Sequence, residues 1–132
     1  MISAVIATLN DEQDLAAALA PLVPASMDGL VRELIVGDAG STDLTLKIAD
    51  DAGAVVVAGG EAEAIAAAKG PWLLILTPST RLYSTWVSAA KAHMERRPGM
   101  PARLTKPGLF ARTEALLIRK DGRRGAPRRV VL

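Results

Sequence analysis

Four short apolar runs, separated by segments with helical periodicity, most constrain what this chain can fold into. Each run is rich in Val, Ile, Leu and Ala and has the length of a buried strand. The segments between the runs place apolar residues at helical spacing. This alternation predicts a parallel sheet covered by helices. The predicted strands are residues 3–7, 31–36, 54–58 and 72–76.

The predicted helices begin and end at recognisable signals. Asn10 followed by Gln13 is typical of a capping box, and Pro21 ends the first predicted helix. Together with Pro24, it predicts a loop before the second strand. Gly53 has the position of a C-cap glycine at the end of the second helix. The predicted helices are residues 11–22, 43–52, 61–69 and 84–96.

After Pro98 both patterns weaken. Residues 113–120 are predicted as a strand, residues 121–122 as a turn and residues 128–132 as a last short strand. The predicted fold class is α/β: a single three-layer, Rossmann-like domain with a mainly parallel sheet. A hairpin and an antiparallel strand are the alternatives for its C-terminal end. We divide the chain into an α/β domain, residues 1–97, and a basic extension, residues 98–132, that completes the sheet.

Composition excludes several classes of function. The chain has 132 residues, of which 50% are hydrophobic, and it has no cysteine. Disulfides, thiolate metal sites and cysteine nucleophiles are therefore excluded, and a cytoplasmic location is expected. No apolar run reaches the ~20 residues that cross a bilayer, and no basic segment precedes the first strand. We therefore expect neither a membrane span nor a signal peptide.

Charge is distributed unevenly along the chain. Residues 1–95 contain 5 Lys or Arg and 12 Asp or Glu, whereas residues 96–132 contain 11 and 2. Such a basic tail predicts contact with nucleic acid, an anionic membrane surface or an acidic protein surface. Only 3% of residues are aromatic, so stacking platforms for single-stranded nucleic acid are scarce. The alternative is a tail that folds back onto its own acidic body.

A lone carboxylate at the end of the second strand is the strongest indication of a site. Asp38 follows the apolar run, and glycines near it allow the backbone to turn sharply. Ser41 or Thr42 is expected to cap the next helix, with Asp43 in its first turn. Polar turns also follow the first and fourth strands. Because the carboxyl ends of parallel strands meet at one edge, the three turns are expected to converge on one crevice.

Three blocks of sequence carry a family resemblance. Residues 3–12 are similar to an opening strand followed by a Pro-Thr-x-Asn-Glu-Glu turn, with Ala7 in place of the proline. Residues 33–43 contain Asp-x-Gly-Ser-x-Asp, and residues 72–82 are similar to a strand that leads into Leu-His-Ala-Asp-Thr-Arg-Leu. Over residues 2–97 the chain resembles the nucleotide-sugar-binding half of family 2 glycosyltransferases. The resemblance implies the GT-A fold in a shortened form.

The resemblance also implies roles for individual residues. Thr8 and Glu12 correspond to the nucleoside pocket, and Asp38 to the contact with uracil or ribose. Family members hold Mg²⁺ or Mn²⁺ on the donor diphosphate with an Asp-x-Asp-type motif, since a hard cation offsets the charge of that leaving group. The predicted nucleotide-binding residues are Thr8, Asn10, Glu12, Asp38, Gly40 and Ser41.

The chain departs from the family pattern at the metal motif and beyond it. Ser79 stands in place of the metal-binding aspartate, two residues before Arg81. A hydroxyl is a poor ligand for these cations, so we predict a degenerate metal motif at these two positions and no metal site. The acidic block that supplies a catalytic base in longer relatives has no counterpart, because the last three carboxylates, Glu95, Glu114 and Asp121, do not form one. No catalytic residue is assigned.

Three functions are consistent with these observations. The first is a glycosyltransferase-like protein that binds a nucleotide or nucleotide-sugar, of UDP type, with transfer activity weakened or lost. The second is a partner-completed or metal-independent glycosyltransferase. The third is a non-enzymatic module for oligomerisation or interaction that uses the basic tail. His93, the sole histidine, is expected to have a surface or packing role, and both tryptophans are expected in the core.

Overall fold

The computed structural model of this chain describes residues 1–105, 113–120 and 128–131. Within these residues, seven strands and five helices are present. The strands are β1 (Ile2–Thr8), β2 (Val31–Asp38), β3 (Val55–Ala58), β4 (Trp72–Leu76), β5 (Ala102–Thr105), β6 (Thr113–Arg119) and β7 (Arg128–Val131). The helices are α1 (Leu15–Leu19), α2 (Leu22–Met27), α3 (Thr45–Asp51), α4 (Glu61–Ala67) and α5 (Trp86–Arg96).

All seven strands form one sheet in the order β3-β2-β1-β4-β6-β5-β7. β1 is parallel to both β2 and β4, and β3 is parallel to β2. β6 runs antiparallel to its neighbours β4 and β5, whereas β7 is parallel to β5. The predicted α/β class with a mainly parallel sheet is confirmed, and the antiparallel strand expected near the C-terminal end is β6.

Helices cover both faces of the sheet and produce three layers. On one face, α1, α2, α3 and α5 pack around a core in which Leu15 and Trp86 are buried. On the other face, α4 packs through Ala64. Successive strand residues point to opposite faces, so Ile6 of β1 joins the first core and Val5 joins the second. Among the described residues, no helix has the length and apolarity needed to cross a bilayer.

The first predicted helix is wrong in its extent. Two short helices, α1 and α2, replace the single helix over residues 11–22, and the predicted loop at Pro24 is helical. Pro21 immediately precedes α2 and Pro24 lies in its first turn, where a backbone N–H has no intrahelical partner to lose. The prolines therefore begin a helix here. Asn10 caps neither helix, because its side chain bonds to a different turn.

Three strands within the described part of residues 98–132 continue the sheet beyond β4. β6 and β7 match predicted strands, whereas β5 (Ala-Arg-Leu-Thr) was not predicted, because it has no run of apolar β-branched residues to mark it as a strand. β5 is hydrogen-bonded on both sides, to β6 and to β7, and these partners are distant in sequence. The turn predicted at residues 121–122 lies outside the described residues. The division of the chain at residue 97 stays a prediction.

Part of the basic tail lies at the edge of the sheet where β1, β2 and β4 begin. α5 starts beyond the carboxyl end of β4 and leads back to the start of β5, so Arg96 and the following Arg97 lie at this edge. Arg103, in β5, is level with Ile75 of β4 and so lies midway along the sheet, away from this edge. The side chains of Arg96 and Arg97 are exposed. We call these two residues the basic edge.

Candidate functional site

Three turns meet at the edge of the sheet where β1, β2 and β4 end. These strands are neighbours and run in the same direction. The chain proceeds from β1 to β2 and β3 on one side and then returns to β4 on the other, so the strand order reverses beside β1. Open α/β sheets bind ligands at such a switch point. We call the segments that follow β1, β2 and β4 the first turn (9–14), the second turn (39–44) and the third turn (77–82).

Asp38, the last residue of β2, is the centre of this edge and is only 6% exposed. Its Oδ1 accepts hydrogen bonds from Thr8 Oγ1 at 2.6 Å and from Ser41 Oγ at 2.6 Å. Its Oδ2 accepts from the backbone N–H groups of Gly40 at 3.0 Å and Ser41 at 2.8 Å. A carboxylate has about four acceptor positions. Donors of the protein itself therefore occupy the Asp38 carboxylate.

The same hydrogen bonds determine the charge of Asp38. Burial by itself raises the pKa of a carboxyl group, because it disfavours the ionised form. Bonds from the Ser41 and Thr8 hydroxyl groups and from two backbone N–H groups outweigh burial and lower the pKa of Asp38 from 3.8 to about 2. Asp38 is therefore an anion near neutral pH, and it holds the second turn against β1.

Asn10 joins the first turn to the second. Its backbone N–H donates to Ser41 Oγ at 2.8 Å, and its Oδ1 accepts from the backbone N–H of Thr42 at 2.8 Å. Asn10 has a φ of +53°, a left-handed conformation that asparagine tolerates better than most residues. The predicted site residue Asn10 thus lies in the site, as a link between two turns.

Glu12, Asp43 and Thr45 make a second set of links. The Glu12 N–H donates to Asp43 Oδ2 at 3.3 Å, and the Glu12 carboxylate accepts from the Leu44 N–H at 3.2 Å. Asp43 Oδ1 accepts from both the backbone N–H and the hydroxyl group of Thr45. Thr45 Oγ1 in turn accepts from the Asp11 N–H at 2.8 Å. The hydrogen bond from the Thr45 hydroxyl is the largest cause that lowers the pKa of Asp43.

These contacts correct the predicted cap of α3. The Ser41 side chain bonds to Asp38, and the Thr42 N–H bonds to Asn10, so neither residue caps the helix. Asp43 instead accepts from Thr45, the first residue of α3. Thr45 is fully buried and was not predicted as a site residue. Its signal in the sequence is the Asp-x-Thr spacing, which favours an Asx turn.

The backbone N–H groups of the first two turns are therefore largely bonded within the protein. Side-chain oxygens of one turn accept from the backbone of the other, or from their own turn. We call residues 8–12 together with residues 38–45 the interlocked turns. The N–H groups that bond to side-chain oxygens are those of Leu9, Asn10, Asp11, Glu12, Gly40, Ser41, Thr42, Leu44 and Thr45.

Thr45→Val is a test of this network. Valine has nearly the shape of threonine but leaves the Asp11 N–H without its acceptor and removes the hydroxyl group that donates to Asp43. We expect the free energy of unfolding to fall by about 1.5 kcal/mol. Urea unfolding measures it, with Thr42→Val as the matched control, because Thr42 is exposed and its hydroxyl makes one contact of 3.5 Å. Equal losses in both variants would contradict the role of Thr45.

The third turn is a cluster of hydroxyl groups. Thr77 Oγ1 lies 3.0 Å from Ser79 Oγ and 3.2 Å from Thr80 Oγ1. The Thr77 N–H also donates to Thr80 Oγ1 at 3.0 Å. Arg81 Nη1 donates to two carbonyl oxygens of the same turn, Pro78 O at 2.7 Å and Thr80 O at 2.9 Å. The turn is therefore held by its own side chains.

Arg81 also connects the third turn to the first. Its Nη2 donates to Asp14 Oδ1 at 2.8 Å, and this ion pair is partly exposed. The sequence assigned Arg81, with Ser79, to a degenerate metal motif. In the structure the Arg81 guanidinium group contacts Asp14 and two carbonyl oxygens, so part of its charge is already offset by the protein.

The residues at this edge do not fit the divalent cation that the family resemblance implies. Ser79 is exposed and offers a neutral hydroxyl group, which is bonded to Thr77. Within the part of the chain that the structure describes, no three His, Cys, Asp or Glu side chains are placed to hold a metal ion. Mg²⁺ and Mn²⁺ prefer sites with carboxylate oxygens.

The fold is similar to that of solved glycosyltransferase structures. Glucosyl-3-phosphoglycerate synthase from Mycobacterium tuberculosis, in complex with Mn²⁺, UDP and glucosyl-3-phosphoglycerate, matches with a TM-score of 0.65 and 28% identity over 82% of this chain and 44% of that chain. Its complex with UDP gives 0.64 and 28%, over 83% and 45%. Its complex with phosphoglyceric acid gives 0.72 and 21%, over 92% and 57%.

No protein-family model and no curated protein sequence matches the chain. Among the solved enzyme structures that it matches, the chain spans about half of their length. The match confirms the fold expected from the three blocks of sequence. The observed strand order, which reverses beside β1, is that of an open α/β sheet with a ligand-binding switch point. The chain is a GT-A-fold protein, similar in structure to the glycosyltransferases that its motifs resemble.

Proposed function

We propose that this protein binds the nucleoside part of a uridine-type nucleotide or nucleotide-sugar at the interlocked turns. The observation that carries the proposal is the network around Asp38, which joins the carboxyl ends of β1 and β2 at the switch point of the sheet. Structures of similar fold, 28% identical, were determined with UDP bound. Because this network already holds the two turns together, binding a nucleoside there costs less entropy.

We propose further that transfer activity is weakened or lost. Ser79 replaces the carboxylate expected for a metal ion, and Arg81 is paired with Asp14. A diphosphate leaving group needs its developing charge offset by a cation, and this edge provides little positive charge for that purpose. The absence of cysteine supports a cytoplasmic location as part of the same proposal.

Calorimetric titration tests the proposal. Uridine, UDP and UDP-glucose are titrated into the protein, each with and without Mn²⁺. Binding of at least one uridine compound, with GDP and guanosine as controls, is the expected result. Heat no larger than that of dilution for every uridine compound would overturn the proposal.

Ser41→Ala assigns the binding to the interlocked turns. The change removes a hydroxyl group that bonds both Asp38 and the Asn10 backbone. We expect affinity to fall about tenfold, which corresponds to one hydrogen bond of about 1.4 kcal/mol. Ser26→Ala is the matched control, because Ser26 is exposed near the end of α2. Equal affinities in the two variants would place the ligand elsewhere.

A partner-completed or metal-independent glycosyltransferase is the alternative enzyme function. A second protein chain would supply the acceptor site and a catalytic base, for which the sequence has no acidic block. Transfer from UDP-glucose is measured with and without added cell extract, and radiolabelled product is counted. Turnover that appears only with extract favours this function, and background turnover in both conditions removes it.

An interaction role for the basic tail is favoured by the position of the basic edge. Arg96 and Arg97 are exposed and lie at the opposite end of the strands from the interlocked turns. An anionic partner bound there would leave the proposed nucleotide site open. Retention on heparin should fall steeply with salt and should be lost in the double variant with Glu at both positions. Retention unchanged by that variant would contradict the role.

A further inference from the structure

We infer that the edge formed by the three turns selects an uncharged nucleoside and does not itself hold the diphosphate of a nucleotide. The inference rests on the proposed function, since it concerns the ligand of the same site. It differs from the cation-assisted diphosphate binding that the GT-A resemblance implies. Two independent observations lead to it: the use of the backbone N–H groups, and the charge of the three turns.

The first observation concerns hydrogen-bond donors. Phosphate groups are hydrogen-bond acceptors, and proteins commonly bind them with backbone N–H groups at turns and helix N-termini. In the interlocked turns these groups already donate to protein oxygens. The N–H groups of Leu44 and Thr45, at the start of α3, donate to the carboxylates of Glu12 and Asp43. A phosphate at this position would have to displace a carboxylate from each donor that it used.

The second observation concerns charge. Residues 8–14, 38–45 and 77–82 contain five carboxylates and one guanidinium group. The guanidinium group, on Arg81, contacts the Asp14 carboxylate at 2.8 Å. The potential at this edge is therefore negative. A diphosphate, which is itself strongly negative near neutral pH, is repelled over a distance of about 10 Å at 0.1 M salt.

The groups that remain for a ligand are mainly acceptors. One carboxylate oxygen of Asp11 accepts a hydrogen bond from the Leu9 N–H, and one carboxylate oxygen of Glu12 accepts from the Leu44 N–H. Their carboxylates still have acceptor positions in excess of these bonds. Ribose hydroxyl groups and the N–H of a uracil ring are donors and have no net charge. The chemistry of the edge therefore matches a nucleoside, and also the hydroxyl groups of a sugar.

A charge series of ligands tests the inference. Uridine, UMP and UDP are titrated without metal in 20 mM and 300 mM salt. We expect affinity to decrease in that order, with UDP bound about tenfold more weakly than uridine in low salt. The difference should shrink in high salt, because salt screens the repulsion. UDP bound at least as tightly as uridine in low salt would overturn the inference and leave the proposed function intact.

Asp14→Asn adds a second measurement on the protein. The variant removes the carboxylate that pairs with Arg81, so the edge becomes less negative. UDP affinity should rise by about threefold to tenfold in low salt, while uridine affinity stays the same. Asp28→Asn is the control with the same change of charge, because Asp28 is exposed in the connection between α2 and β2, at the other edge. A rise in UDP affinity that is equal in both variants, or absent in both, would contradict the inference that the charge of the three turns weakens UDP binding.

The outcomes separate the two proposals. Uridine binding that is tighter than UDP binding supports both the proposed function and the inference. Binding of UDP without loss relative to uridine supports only nucleotide binding. No binding of any of the three ligands overturns the inference, and the titrations of UDP and UDP-glucose with Mn²⁺ then decide the proposed function.

Discussion

Asp38→Asn is expected to lower the free energy of unfolding by about 3 kcal/mol, which is among the largest effects that a single change at this site can have. The carboxylate accepts four hydrogen bonds from Thr8, Gly40 and Ser41 while almost fully buried. An asparagine side chain has one oxygen and places an NH₂ group against two of these donors. For a chain of this size the expected decrease in melting temperature is about 10 °C.

Asp28→Asn is the control for Asp38→Asn. Asp28→Asn makes the same chemical change at an exposed position and should alter the free energy of unfolding by no more than about 0.5 kcal/mol. Urea unfolding of both variants and the parent protein gives the comparison. Similar stabilities of Asp38→Asn and Asp28→Asn would mean that the Asp38 network contributes little to folding.

The pH dependence of this effect follows from the pKa of Asp38. The folded value, about 2, lies below the value of 3.8 for an unperturbed aspartate. The ionised carboxylate therefore contributes stability that is fully present above about pH 4 and is lost as the pH falls through about 2. The pKa difference corresponds to about 2.5 kcal/mol. The stability difference between the parent and Asp38→Asn, measured at pH 6, 4 and 3, should be constant at first and then decrease.

Gly37→Ala is expected to destabilise the fold by about 3 kcal/mol, because α4 begins directly against β2. A Cβ atom at Gly37 would lie 2.2 Å from the carbonyl oxygen of Gly60 and 3.2 Å from the Cβ of Ala64. The first of these contacts is with backbone, so no side-chain rotation can relieve it. Either α4 or the end of β2 must move, and Asp38 is the next residue after Gly37.

Gly99→Ala is the matched control for this prediction. A Cβ atom at Gly99 meets nothing within 4 Å, and its φ is not in the left-handed range. Thermal unfolding should show a large decrease in melting temperature for Gly37→Ala and little change for Gly99→Ala. Uridine binding measured on the same samples should weaken in the first variant alone. Equal melting temperatures would show that α4 can shift without cost.

Several elements of the fold were predictable because their signals are local. β1, β2 and β4 are short apolar runs that are largely buried, and β3 is a similar run at the exposed edge of the sheet; their order along the chain indicates parallel pairing. Gly53 has a φ of +77° just after α3, as its position after a helical stripe predicted. β5 has no such local signal. Its residues form a strand because β6 and β7 lie on either side of it.

In the candidate site, too, the sequence indicated which residues gather, whereas tertiary contacts decided how they bond. Thr8, Asn10, Glu12, Asp38, Gly40 and Ser41 were predicted from the resemblance of the two turns, and the structure brings all six to one edge. Their ligand-binding role stays a prediction. The sequence pattern did not indicate that these side chains bond mainly to each other's backbone. Thr45 and Asp14 were missed, because their partners, Asp11 and Arg81, are remote in sequence.

The sequence by itself determined the layers of this protein, the direction of its first four strands and the edge at which its polar turns gather. Those properties depend on periodicity and on the turn residues, which act over a few positions. The tertiary structure decided how the turns interlock, that Arg81 pairs with Asp14, and that the basic edge lies at the other end of the strands. These depend on contacts between residues about 30 to 70 positions apart, whose geometry is set only when the whole sheet assembles.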